Sequence, residues 1–383
     1  MNTKKLSIAY VTPVLLSFFV MSFCDLVGIG VDNAKADFQL SNTLAQLIPM
    51  AVFAWFFILS VPVGILQDRI GKKNMLNIGM LLTAIGLVVP YFVYSFPVLL
   101  GGFALLGIGN TIIQVSANPL LIDVVPSKRA SSFLSLSQFV KAVGSMVAPY
   151  LATVFALRFG DWKLIFLVFG GVSILSMAWL HFSKIEETKS KEQKATVVSC
   201  LKLLGVGYIA LMVLGIFFLV GIDVGINASS GQFLMEKLGM DAEPAKHGRS
   251  LYFFGKMLGT FIGALLLTRF SARKFLMGSA LATLITMVAF VFSPTNLVAL
   301  VLMFAIGLGA SNIFPLIFSL TVEKYADRAN EISGLMIMAV AGGAFIPPVV
   351  GKVTDLMNVT AGMFVLIACS VYLLILSFYT LKK

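Results

Sequence analysis

Charge is what this 383-residue chain has least of: 12% of its residues are Asp, Glu, Lys or Arg, against 59% hydrophobic. Soluble domains carry roughly 25% charged residues, so a water-soluble globule is excluded and the core must be shared with lipid. Histidine is nearly absent, with two residues, and Cys24, Cys200 and Cys369 are widely spaced, show no metal or redox pattern and imply no disulfide framework. No Ser-centred nucleophile motif occurs. A membrane enzyme is therefore disfavoured, and no catalytic residue, cofactor or metal is expected. Acidic residues are also scarce, leaving a formal charge of +11. In a soluble protein that excess would suggest nucleic acid. Here the basic residues fall mostly in short loops between apolar runs, as membrane orientation requires, and no nucleic-acid partner is expected. Lys4 and Lys5 precede an apolar run with no small-residue cleavage site after it, so that run is expected to remain as a helix.

What the chain has in abundance is long apolar stretches. A hydrocarbon core of about 30 Å takes roughly 20 residues of helix. Twelve segments of that kind are expected near 7–33, 43–66, 75–95, 97–123, 130–157, 162–182, 203–235, 250–269, 274–293, 295–322, 331–353 and 361–381. The polar stretch 184–202 divides them into an N-terminal six-helix bundle, 1–183, and a C-terminal one, 203–383. Nineteen of the 28 Lys and Arg fall on one side if the N-terminus is cytoplasmic, so both termini are expected in the cytoplasm of a multi-pass plasma-membrane protein, the bacterial inner membrane.

The second half also repeats the first at an offset of about 200 residues. The run from Gly64 through Asp68-Arg69 to Lys72-Lys73 returns as Gly263 through Thr268-Arg269 to Arg273-Lys274. Gly107-Ile108-Gly109 returns as Gly307-Leu308-Gly309, Asp123 as Glu323, and Pro149 has a near-counterpart in Pro347-Pro348. Four coincidences in one order argue for two copies of one membrane unit related by a pseudo-twofold axis, the usual build of secondary transporters. The expected fold is an all-α polytopic membrane protein.

Four ionisable residues fall well inside helices: Asp25, Lys141, Asp223 and Lys256. Each costs about 2.5–3.5 kcal/mol near the bilayer centre on insertion scales, so each must face an interior, find a partner or do work. Counting along the helices places Lys141 near mid-membrane and the other three in the outer half. Asp25 and Asp223 occupy nearly equivalent places in the two repeats, each shortly after a Phe-Phe pair. They are the candidate proton-coupling carboxylates, or else permanent partners of the lysines.

The loop Gly64-x-x-x-Asp68-Arg69-x-Gly71-Lys72-Lys73 resembles the signature loop of the major facilitator superfamily. The resemblance implies a cytoplasmic gate in which Gly64, Asp68, Arg69, Lys72 and the repeat's Arg269 form close helix contacts and a charge network that holds the halves together in one state. Gln114-Val115-Ser116-Ala117-Asn118-Pro119, Gly221-Ile222-Asp223-Val224-Gly225 and Ala341-Gly342-Gly343-Ala344-Phe345-Ile346-Pro347-Pro348 are similar to the fucose/glucose/galactose/N-acetylglucosamine permease family. That similarity implies a monomeric twelve-helix transporter performing proton-coupled sugar uptake. The family's first-helix Asn-Asp pair is nearest to Cys24-Asp25 here. Its fifth-helix Asn is replaced by Lys141, and its eighth-helix Arg by Thr260, with Lys256 one turn earlier.

The candidate substrate-binding residues are Gln114, Asn118, Gln138, Lys141, Asn227 and Lys256. Amides suit sugar hydroxyls; an unpaired Lys141 or Lys256 would instead suit a sugar acid or another small organic anion. The main expectation is a proton-coupled symporter of a sugar or sugar derivative, with Na+ as the alternative coupling ion. Drug efflux is a lesser alternative, because Ala148-Pro149-Tyr150-Leu151-Ala152-Thr153 lacks the glycine pair of exporters.

Overall fold

A computed structural model describes residues 8–125, 130–185, 187, 197–266, 271–325 and 328–381; the side chains of Asp68 and of several residues near 130–135, 243–246, 264–265 and 329–333 lie outside the description. Among the described residues every regular element is helical. The first pass is α1 (Ile8–Met21), a tight 3-10 turn at Ser22–Leu26 and α2 (Val27–Asp37). Then come α3 (Asn42–Ala45), α4 (Leu47–Ile70), α5 (Lys72–Phe92), α6 (Phe96–Val124), α7 (Ala130–Phe159) and α8 (Leu164–Phe182). The second set is α9 (Val197–Lys202), α10 (Gly207–Leu238), α11 (Ala242–Leu266), α12 (Ala272–Val291), α13 (Asn296–Ala310), α14 (Ile313–Lys324), α15 (Ala329–Met338), α16 (Gly342–Leu356) and α17 (Val359–Leu381).

Eleven passes among the described residues are long and apolar enough to cross a membrane. The twelfth, α11, carries Arg249 and Lys256 in its interior, which is why its hydropathy signal is weak. Three passes are broken where a single helix was expected. The first turns 3-10 around Asp25, the tenth breaks at Ser311 and Asn312, and the eleventh breaks at Ala339–Ala341. Such breaks free backbone carbonyls and are tolerated at membrane depth only where neighbouring protein satisfies them.

The apolar interior is in two main clusters. One is built mostly from Val11 through Leu180 and the other from Leu203 through Leu376. Val224, Ala228, Val340 and Ala344 of the second half pack into the first cluster, and Val61 packs into the second. Helix approach depends on small residues, as lipid-embedded packing requires. A methyl group at Gly107 would land on the backbone of Val52, and one at Gly307 on the backbone of Tyr252. Gly109 and Gly309 lie in the same way against Thr83 and Thr283. Each pair of contacts recurs at an offset of 200 residues, so the sequence repeat is a repeat of packing.

The connections 38–41, 239–241 and 357–358 lie on the face opposite the chain termini, here the far face. Polar links between the halves gather there. Lys35 Nζ lies 3.1 Å from Glu236 Oε1. Asp355, near the end of α16, accepts from the backbone N–H of Asn42 at 2.9 Å and of Thr43 at 2.8 Å, and from Thr43 Oγ1 at 2.6 Å. Gln46 Nε2 donates to Ser229 Oγ at 3.3 Å, and Gln232 Nε2 to Asn42 Oδ1.

Candidate functional site

The 3-10 turn places Asp25 where the two halves meet at mid-chain depth. Ser145 of α7 donates its hydroxyl to Asp25 Oδ2 at 2.5 Å. Cys24, buried beside it, turns its thiol toward Met21 O at 3.2 Å and Asp25 Oδ1 at 3.9 Å. Lys141 stands one turn before Ser145 on the same face of α7, half-buried, with no carboxylate within 4.0 Å among the described residues. Asp25 is nonetheless within electrostatic reach of Lys141, Lys256 and Asp223.

In the second half the carboxylate is committed. Lys256 Nζ lies 2.7 Å from Asp223 Oδ2, and Tyr252 donates its hydroxyl to Asp223 Oδ1. Tyr252 and Lys256 are four residues apart on α11, so one helix face delivers both partners. The four charges form one group with two of each sign. One turn of α7, about 6 Å, separates Lys141 from the serine that holds Asp25, which sets Asp25 on the far-face side of Lys141.

The amide candidates separate. Gln114 donates to Asn110 Oδ1 at 3.1 Å, and Asn110, fully buried, donates to Met21 O at 2.7 Å. Gln114 is thus half-exposed at the end of a network that also positions the turn before Asp25. Gln138 is exposed on the stripe of α7 shared by Lys141 and Ser145, at spacings of three and seven. Asn118 is half-buried, with no hydrogen-bond partner among the described residues. Asn227 is different: it is 2% exposed and its Nδ2 donates to the backbone carbonyl of Asp25 at 2.8 Å. In this conformation it staples α10 to the first pass and does not line an open space.

The described contacts of the signature loop are local. Among the described residues nothing lies within 4 Å of where a Gly64 side chain would start. Lys72 Nζ pairs with Asp123 Oδ2 at 2.6 Å within the first half. Lys73 Nζ donates to the carbonyls of His181 at 2.9 Å and Ser183 at 2.7 Å, also in the first half. Glu187 accepts from the backbone N–H groups of Lys72 at 2.6 Å and Lys73 at 2.9 Å, capping α5. These described contacts tie the loop to its own half and the linker, not to the other half. Arg69 is exposed; Arg269 and the Asp68 side chain lie outside the described residues.

Sequence reading passed over a buried charge pair. Arg249 of α11 is 0% exposed and its Nη1 lies 2.6 Å from Asp32 Oδ2 of α2, which is 5% exposed. Asp32 fell inside the expected first segment and Arg249 one residue before the eighth. Extending the eighth segment by one residue would have added Arg249, and Asp32 already lay inside the first, near its end. A cavity of about 360 Å³ opens between α11, α12 and α13, lined by Gly259, Lys274 and Asn312 among others, and holds none of the candidate residues. No cluster of three or more His, Cys, Asp or Glu able to hold a metal occurs among the described residues.

The sequence profile of the Major Facilitator Superfamily matches residues 13–241 and 213–383. A glucose/galactose transporter of Brucella abortus biovar 1 (strain 9-941) is 29% identical over 385 residues, spanning 94% of this chain and 92% of the relative. The L-fucose-proton symporter of Escherichia coli (strain K12) is 24% identical over 390 residues, spanning 91% and 88%. A solved D-xylose-proton symporter shares the fold with a TM-score of 0.77 over 99% of this chain and 98% of its own, at 18% identity.

Proposed function

Because this chain belongs to the major facilitator superfamily, a family of membrane transporters, we propose that it is a secondary active transporter carrying a sugar or sugar derivative into the cell together with protons, by alternating access. Full-length sequence similarity to a glucose/galactose transporter and to a fucose–proton symporter supports the substrate class and the coupling ion. The observation that carries the mechanism is the unequal treatment of two repeat-related carboxylates. Asp223 is neutralised by Lys256 and held by Tyr252. Among the described residues Asp25 has the Ser145 hydroxyl and the Cys24 thiol as partners for its side-chain oxygens, and a cation that stands off. A carboxylate without a bound cation takes up and gives up a proton without first breaking an ion pair. Asp25 is therefore the coupling carboxylate, and the Asp223–Lys256 pair is a fixed, self-neutralised neighbour beside it. Gln114 and Gln138 supply hydrogen bonds to the sugar from the two helices that flank Asp25.

The division at 184–202, cytoplasmic termini in a bacterial inner membrane and a monomeric state complete this reading. With that orientation the links at the far face close the protein toward the outside. Proteoliposomes loaded at one pH and diluted into another test the coupling. Glucose or fucose should drive proton entry with the parent, and replacing Na+ by choline should leave it unchanged. Unaltered coupling in Asp25→Asn would overturn the reading.

A second reading has one observation in its favour: Lys141 stands beside the site without a carboxylate partner. An ammonium so placed suits a sugar acid. Competition between glucose and glucuronate separates the two, and Lys141→Gln that transports equally well removes the anion.

A further inference from the structure

Asp25 and Asp32 lie seven residues apart, two turns along one face of the first pass. Both are gripped by the other half through one short run of bonds. The 3-10 turn leaves the Asp25 carbonyl to be satisfied from outside, and Asn227 Nδ2 satisfies it at 2.8 Å. The backbone carbonyl of the same Asn227 accepts from Arg249 Nε at 2.5 Å. The guanidinium of Arg249 then meets Asp32. Gly28 and Gly231 make the slot: a side chain at Gly28 would strike Asn227, and one at Gly231 would strike Asp32 and Arg249. Asn227 thus joins the coupling layer to the closed far face.

The join is built to part. Arg249 Nη1 and Asp32 Oδ2, 2.6 Å apart, form a buried ion pair, and Arg249 Nη2 and Asn227 Oδ1 are buried with no hydrogen-bond partner among the described residues. Buried groups left in that condition gain when water reaches them. Separation of the halves at the far face hydrates all four atoms and withdraws the Asn227 amide from the Asp25 segment in one movement.

We propose that Asn227 is a positioning residue of the coupling site, holding the Asp25 turn in place only while the Asp32–Arg249 pair keeps the far face shut. This rests on Asp25 being the coupling carboxylate. The charged and titratable groups around Asp25 are Cys24 on its own turn, Lys141 on α7, Asp223 on α10, and Tyr252 and Lys256 on α11. Asn227 is neutral, so its effect on proton use must come through position.

The experiment compares the parent, Asn227→Ala and Asp25→Asn in proteoliposomes. It reads proton-driven sugar uptake from pH 5 to 9 and sugar affinity of the purified protein. Asn227→Ala should move the uptake profile by about one pH unit and lower uptake at neutral pH about tenfold, with sugar affinity within about threefold of the parent. An unmoved profile overturns the proposal by making Asn227 a packing residue. Affinity lost in step with uptake overturns it by making Asn227 a sugar contact. Should Asn227→Ala not fold, Asn227→Ser, which keeps a shorter donor, is read by the same criteria. Retained coupling in Asp25→Asn refutes the coupling assignment itself. Lost coupling there with an unmoved Asn227→Ala profile refutes only the present inference.

Discussion

Gly107 sits so close to Val52 that a single added carbon would meet the Val52 main chain, and 200 residues later Gly307 stands in the same relation to Tyr252. In each half the contact joins the second pass to the fourth, α4 to α6 and α11 to α13. Backbone cannot yield as a flexible side chain does. Gly107→Ala and Gly307→Ala should each destabilise the protein by about 1–3 kcal/mol through overpacking. Gly64→Ala, with nothing among the described residues within 4 Å of its added carbon, should leave stability within about 0.5 kcal/mol. Thermal melting of the three variants in one detergent checks the ranking, and equal melting temperatures would contradict the shared packing.

That repeat was legible in the sequence because backbone-to-backbone packing admits only glycine, so Gly107 and Gly307 mark the offset directly. The number of passes and the sites of Asp25, Asp223, Lys141 and Lys256 were legible for a related reason: an ion among apolar residues stands out on a linear scan. Pairing was not. Lys256 could have met either carboxylate by sequence, and the choice of Asp223 follows from α11 presenting Tyr252 and Lys256 on one face toward α10. Asp32 and Arg249 were missed because hydropathy fixes helix ends poorly, and both lie near such ends. Asn227 looked like a sugar contact because an amide in a membrane helix suits either hydroxyls or a freed carbonyl. In this conformation the break in the first helix gives it the freed carbonyl.

Tyr94, in the connection between α5 and α6, donates its hydroxyl to Asp37 Oδ2 at 2.6 Å and lies beneath Lys163 Nζ at 4.5 Å from its ring centre. Burial, then the bond to Asp37, pushes its phenol above the ordinary value near 10. A raised folded-state value means the neutral phenol is favoured on folding. The contribution is full below pH about 10 and is lost as pH rises through the higher folded value. Tyr94→Phe should lower stability at pH 7 by about 1.5–3 kcal/mol, the usual worth of a hydrogen bond to a charged group. That gap should close only in strong alkali. Ultraviolet titration of tyrosinate in parent and variant shows whether one phenol ionises late; identical curves would refute the assignment.

Lys256 and Asp223 are each partly reachable by solvent, with side chains 25% and 21% exposed, so their pairing is neither a surface contact nor a sealed one. Removing one partner of a buried pair costs about 3–5 kcal/mol, because the remaining ion has lost its compensation. Here partial hydration places the expected cost below that range. Lys256→Gln should leave Asp223 with the Tyr252 hydroxyl alone, and Asp223→Asn should leave Lys256 facing Lys141 across the site. Asp223→Asn combined with Lys256→Gln restores neutrality, and it should melt closer to the parent than either single variant does. A coupling energy of about 1–3 kcal/mol from the four-member cycle is the expected outcome. If the two charges serve only to neutralise each other beside Asp25, the double variant should also regain proton-linked uptake that each single variant loses. A double variant that is stable yet uncoupled would instead place Asp223 on the proton path.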